Sequence, residues 1–284
     1  MRGIPSITAE VVCFMRALER RRPANERALD DPYAEKFLGP LLTAALFGAK
    51  ITGELGMAVE RLSPGLTAYI VARHKFIDEA LEKALPNKPE RVVLLGAGYD
   101  TRAYRYADQL RGIPVFEVDH PATSGRKASL VEGLPPADVR RVEVDFETQA
   151  LDERLAEAGF SAGPRTFVVW EGVSMYLTRR AIESTLQLLH KLTGPGSRIA
   201  MDFWFLVDAP DLRAIAHRLE PHLLSFLGET VTFGIHPEDV GGFLERNGWK
   251  VIELADAGTL EKKYLRDQGR RVYPAMFLVV VERI

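Results

Sequence analysis

From Arg91 to Phe203 the chain repeats one pattern: a short, continuously apolar run, an acid or glycine turn, then a helical stretch. Val92 to Leu95 runs into Gly96-Ala97-Gly98, Val115 to Val118 ends at Asp119, and Val142 to Val144 ends at Asp145. Phe167 to Trp170 ends at Glu171, and Arg198 to Phe203 follows a helical stretch, Arg179 to Leu192, and the Gly194-Pro195-Gly196 turn. Apolar runs without alternation need cover on both faces, and strands separated by helices obtain it in a parallel sheet. The pattern therefore predicts an α/β fold. The last two apolar runs, Val251 to Leu254 and Met276 to Val281, are joined by a stretch with helical character only from Leu260 to Leu265. That ending predicts an antiparallel edge pair on an otherwise parallel sheet.

Upstream of Pro89 the pattern is helical. Val11, Val12, Met15 and Leu18 share one face of a segment from Thr8 to Arg22, closed by Pro23. Asp31 and Pro32 open a second helix through Leu38, and Leu66 to Leu85 reads as a long amphipathic helix stopped by Pro86 and Pro89. Composition narrows the functions. With 37 basic and 39 acidic residues the net charge is −2, against a chain built to coat nucleic acid or an anionic membrane. Cys13 is the single cysteine, which excludes an internal disulfide framework. No apolar run approaches the roughly 18 residues of a membrane span. Glu10 interrupts the first apolar stretch, and no signal-peptide core precedes it, so the expectation is a cytoplasmic protein.

The stretch VVLLGAGYDT, Val92 to Thr101, carries the most chemistry. Glycines at 96 and 98 allow a tight turn and let a ligand approach the main chain, and the following helix start offers unpaired N–H groups. Taken alone, such a turn also serves as a plain strand–helix connector. Asp119 ends the second strand 21 positions after Gly98, near the ~20 expected of an acid that accepts from ribose hydroxyls. A nicotinamide-type turn would place a third glycine at position 101, where this chain has Thr101. This favours a smaller adenosine-bearing ligand without a pyrophosphate. Asp145 and Phe146 end the third strand, either meeting an adenine or standing as a solvated acid beside a core ring. Glu171 ends the fourth strand at the same edge, and the three acids together suit a ligand with hydroxyls, an amine and a positive centre.

In order and spacing, VVLLGAGYDTRAYR, FEVDHPA with Lys127 downstream, VEVDFE and VVWEGVSMYLTRRAIESTL resemble the leucine carboxyl methyltransferase-like group of S-adenosylmethionine-dependent enzymes, which includes bacterial polyketide-type O-methyltransferases. ITAEVVCFMRALE, ANERALDDPYAEKFL and ARHKFIDEAL resemble its leader helices, and FGIHPEDVGGFLERNGWKVIE its closing region. The resemblance implies a Rossmann-like class I methyltransferase fold, with seven strands and the last antiparallel. It implies one methyltransferase domain over 1–284, with a helical cap at 1–88, a cofactor-binding core at 89–284 and a substrate lid at 206–235. S-adenosyl-L-methionine would be the cofactor and S-adenosyl-L-homocysteine the product. Gly96, Ala97 and Gly98 would line the methionine part, Asp119 would hold the ribose, and His120 would shape the pocket beside it. Asp145 and Phe146 would meet adenine, and Glu171 would meet the methionine amine. Arg73 falls where the group binds the methionine carboxylate, although by itself it reads as a surface helix residue beside His74 and Lys75.

The expected partner is a small molecule with an oxygen nucleophile, not a nucleic acid or a membrane. A carboxylate acceptor is already ionised at pH 7 and needs no general base, whereas a phenol with a pKa near ~10 gains from one. Carboxylate methylation is the leading expectation, with a phenol or enol of an aromatic natural product as its rival. A protein C-terminal carboxylate and a non-catalytic nucleoside-binding protein are the remaining readings. Tyr176, His217 and His222 are the candidate catalytic residues; Tyr176 either hydrogen-bonds the acceptor or packs beneath the lid. Met175, Tyr176, Phe203, Trp204 and Phe205 are the candidate walls of the substrate pocket. His217 and His222 stand five apart without the glutamate of a zinc-binding helix, and no metal site is expected.

Overall fold

A computed structural model describes residues 6–48, 64–145, 148–205 and 231–284. The cap begins with α1 (Ile7–Arg20), whose Ser6 hydroxyl accepts from Ala9 N at 3.1 Å as an N-cap. Asp31 does not open an α-helix. Its side chain is fully buried and accepts from Tyr33 N in an Asx turn, and only a short 3₁₀ turn, Ala34–Phe37, follows. The apolar helix α2 (Pro40–Phe47) comes next, and α3 (Leu66–Ala84) spans nearly the predicted residues.

Seven strands follow: β1 (Arg91–Leu95), β2 (Val115–Asp119), β3 (Val139–Glu143), β4 (Thr166–Trp170), β5 (Arg198–Trp204), β6 (Trp249–Ala255) and β7 (Met276–Arg283). They form one sheet in the order β3-β2-β1-β4-β5-β7-β6, with β7 antiparallel to both neighbours. The expected antiparallel pair exists, but β7 is wedged inside the sheet and only β6 is at the edge. Side-chain pattern explains the order. Phe277 to Val281 is buried at every position, which only an interior strand permits, whereas Lys250, Ile252 and Leu254 of β6 are exposed.

Successive strand residues point to opposite faces and build two cores. Val92 and Leu94 join Phe76 and Ile77 of α3 on one face. Val93 and Leu95 join Ile182, Leu186 and Leu189 of α7 (Arg179–Leu192) on the other. The helix expected from Thr101 to Leu110 is one turn, α4 (Arg102–Arg105), followed by turns. Tyr104 and Tyr106 are both buried, and residues two apart cannot share a face of a continuing helix. Among the described residues the remaining α-helices are α5 (Pro121–Leu130), α6 (Leu151–Glu157), α8 (Pro237–Glu245) and α9 (Ala257–Leu260). Among the described residues no helix is long and apolar enough to cross a membrane.

Candidate cofactor site

The strand order changes direction between β1 and β4, and open α/β sheets hold ligands outside the carboxyl ends of the strands at such a point. In the parallel register Leu95 lies beside Val118, and Leu94 beside Val169. The turn after β1 therefore emerges between Asp119 and Glu171. Gly96 (φ 69°) and Gly98 (φ 44°) occupy left-handed conformations, and a Cβ on Gly96 would overlap Val173 Cγ2. Gly96 N and Ala97 N both donate to Val118 O at 2.9 Å, which turns the main chain sharply out of the strand.

Asp119 braces this turn. Its Oδ2 accepts from Gly98 N and its Oδ1 from His120 N at 2.6 Å. Burial pushes the carboxyl up from its ordinary value, against these two amide bonds. Each oxygen keeps a lone pair for a further donor. The ring of His120 is used locally: Nδ1 accepts from Ala122 N at 3.2 Å and caps α5. Asp145 stands just past β3, where Val144 N donates to Asp119 O at 2.9 Å and brings the two strand ends together. Phe146, His217 and His222 lie outside the described residues, as does 206–230 of the expected lid.

Glu171 belongs to a buried charge network that sequence reading largely missed. Its Oε1 accepts from Arg73 Nε at 2.7 Å and lies 2.7 Å from His74 Nδ1, and its Oε2 accepts from Arg102 Nη1 at 2.8 Å. Burial opposes this charge, yet His74 and the guanidiniums of Arg73 and Arg102 hold the carboxyl well below the usual range. Burial pushes His74 down, against the pull of the Glu171 carboxylate. Arg73 also donates from Nη1 to Asp202 Oδ2 at 2.9 Å, and its guanidinium lies against the bare Cα of Gly172. Asp202 is fully buried in β5 and accepts in addition from Gly172 N at 2.7 Å and Tyr69 Oη at 3.3 Å. Arg73 is thus an interior residue, and its Nη2 has no hydrogen-bond partner among the described residues.

The cap closes over the same turn. Ala9 Cβ lies 3.4 Å from where a Cβ of Gly98 would stand, and Arg16 Nη2 donates to Tyr99 O at 2.8 Å. Arg16, fully buried, pairs with Asp31 at 2.6 Å, and Thr101 Oγ1 donates to the same carboxylate oxygen at 2.7 Å. Burial pushes the neighbouring Cys13 thiol up to about 11, which leaves it protonated and unreactive at neutral pH.

The candidate pocket walls fall into two environments. Phe203 is fully buried against Phe277, with ring centroids 5.6 Å apart, inside the second core. Met175 and Trp204 are buried on the first core, and Tyr176 packs partly buried against it. Phe205 sits beside His236 at 5.4 Å between ring centroids. Val231 to Ile235 returns to this region, with Thr232 N donating to Met175 O at 2.8 Å and Ile235 N to Trp204 O at 2.9 Å. The indole Nε1 of Trp204 is buried without an acceptor among the described residues. A half-open surface cleft of about 750 Å³, lined among others by Arg22, Glu26, Lys262 and Arg266, contains none of the expected site residues.

A seven-stranded sheet of this order, with an acid at the carboxyl ends of β2 and β4 beside a glycine turn, is the frame of a class I methyltransferase. The sequence pattern of leucine carboxyl methyltransferase matches residues 9–190, and the chain belongs to that family. A provisional S-adenosyl-L-methionine-dependent methyltransferase of Saccharopolyspora erythraea is 30% identical over 98% of this chain and 95% of its own length. One of Mycobacterium marinum, similarly named, is 33% identical over 86% of this chain and 83% of its own. The crystal structure of a provisional methyltransferase from Thermobifida fusca shares the fold, with a TM-score of 0.61 at 13% identity over 100% of this chain and 96% of that one. The chain is an S-adenosyl-L-methionine-dependent methyltransferase.

Proposed function

We propose that the enzyme transfers the methyl group to an oxygen of a small organic molecule, with a carboxylate as acceptor and a methyl ester as product. S-adenosylmethionine supplies an activated methyl group, and the protein contributes orientation and a dry, shaped site. Nη2 of Arg73, which has no hydrogen-bond partner among the described residues, suits the methionine carboxylate, and Glu171 suits the amine. The bare main chain at Gly96, Ala97 and Gly98 suits close approach of the chain between them. Asp119 suits the ribose hydroxyls, because its two oxygens still accept, and Asp145 with Phe146 suits the adenine.

The observation that carries an oxygen acceptor is Trp204. Its indole N–H is buried at the carboxyl end of β5 without a partner among the described residues, and a buried donor left unpaired is costly. An acceptor oxygen bearing negative charge would satisfy it. The Ser174–Tyr176 turn packs against the same strand, so Met175 and Tyr176 supply apolar and aromatic cover. The family's name, which specifies a leucine carboxyl group, further supports a carboxylate. A carboxylate at neutral pH attacks without a base, so the chemistry asks only for in-line placement. The lone, buried thiol of Cys13 accords with a cytoplasmic setting.

A screen with methyl-labelled cofactor against carboxylic acids and phenols tests this reading. Base-labile label on carboxylic acids is expected, and label only in base-stable ethers would replace carboxylates with phenols. Asp119→Ala is expected to weaken calorimetric binding of S-adenosylmethionine by about 1–3 kcal/mol through loss of the ribose contact and release of the braced turn. An unchanged affinity would remove Asp119 from the site.

A further inference from the structure

We infer that Arg102 is a positioning residue for the amino-acid end of the cofactor, acting through Glu171; this rests on the assignment of Glu171 to the methionine amine. Arg102 follows the glycine turn directly and is 1% exposed. Its guanidinium reaches four groups on three separate segments. Nε donates to Asp78 Oδ1 at 2.7 Å, Nη2 donates to His74 O at 3.2 Å, and Nη1 bridges Asp100 Oδ2 and Glu171 Oε2. The main-chain N of Arg102 also donates to Asp100 Oδ1 at 2.7 Å.

The division of Glu171 gives this arrangement its consequence. Oε1 faces Arg73 and His74, while Oε2 has only the Arg102 contact among its hydrogen bonds within the described residues. Arg73 alone would hold the carboxylate at one oxygen and leave the other free to turn. With Oε1 held by Arg73 and Oε2 by Arg102, the plane of the carboxylate is set relative to the glycine turn, because Arg102 also grips Asp100 of that turn. Arg16 is also buried and the side chain of Arg105 is 8% exposed, but they pair with Asp31 and Asp78 and do not reach Glu171. The planar fork is needed: a lysine ammonium offers a point charge and cannot span Asp78 and Glu171 in fixed geometry.

The test is calorimetric titration with S-adenosylmethionine and with 5′-methylthioadenosine, which lacks the amino-acid end. Arg102→Lys, Glu171→Gln and the double variant are compared with the unaltered enzyme. Arg102→Lys is expected to weaken S-adenosylmethionine by about tenfold or more while methylthioadenosine stays within about twofold. In the Glu171→Gln background the lysine substitution should add little, since the two act as one unit. Equal losses for both ligands, or undiminished S-adenosylmethionine binding in Arg102→Lys beside a loss in Glu171→Gln, would overturn the inference. Undiminished binding in Glu171→Gln would instead overturn the assignment of Glu171 itself. Arg102→Gln, carried in parallel, retains an amide donor and is read in the same way. Failure of both Arg102 variants to fold would make the residue structural and end the proposal.

Discussion

Glu171→Leu is expected to lower the stability of the fold by about 3 kcal/mol or more and to abolish cofactor binding, measured by urea unfolding and calorimetry. Leucine fills a similar volume, so the loss is electrostatic. Arg73 and Arg102 are 5% and 1% exposed at the side chain, and removing the carboxylate leaves both guanidiniums short of an acceptor. Asp202 still pairs with Arg73, and Asp78 and Asp100 with Arg102, which keeps the cost toward the lower end of what a broken buried pair exacts. Glu171→Gln keeps an acceptor oxygen and should cost less stability while still weakening the cofactor. An unfolding midpoint unchanged in the leucine variant would show that the network contributes nothing net.

Gly96→Ala is expected to cost about 2–3 kcal/mol and to remove measurable affinity for S-adenosylmethionine. Two separable causes are at work. The left-handed backbone at φ 69° penalises any Cβ, and that Cβ would overlap Val173 Cγ2. Adding Val173→Ala should therefore recover part of the stability in thermal unfolding. It should not recover binding, because the Cβ still stands on the main chain that the ligand must approach. Full recovery of binding in the double variant would place the cofactor elsewhere.

The strands were legible because continuous apolar runs demand burial on both faces, and the acids that end them fall at one edge of a parallel sheet. The position of β7 followed from a property visible in the sequence, namely that Met276 to Val281 has no polar side chain to turn outward. Arg102 was harder to see, since an arginine in the first turn of a helix usually faces solvent. Its burial depends on Asp78, Asp100 and Glu171 converging from distant segments. Asp202 did leave a trace. An aspartate between Met201 and Phe203 in an apolar strand needs a buried partner, and Arg73 is that partner. His74 and Asp78 share the buried side of α3 for the same reason. The indole of Trp204, unpaired among the described residues, had no sequence signal, because tryptophan reads as apolar until its surroundings are known.

The insertion of β7 between β5 and β6 also decides how the sheet ends. The strand left outermost, β6, exposes Lys250 and breaks register between Val251 and Glu253. An intruding strand would meet a charge and an interrupted row of hydrogen-bonding groups, both of which discourage edge-to-edge pairing. The strand with the wholly apolar run, Met276 to Val281, would make the best template for aggregation, and it is the one enclosed on both sides.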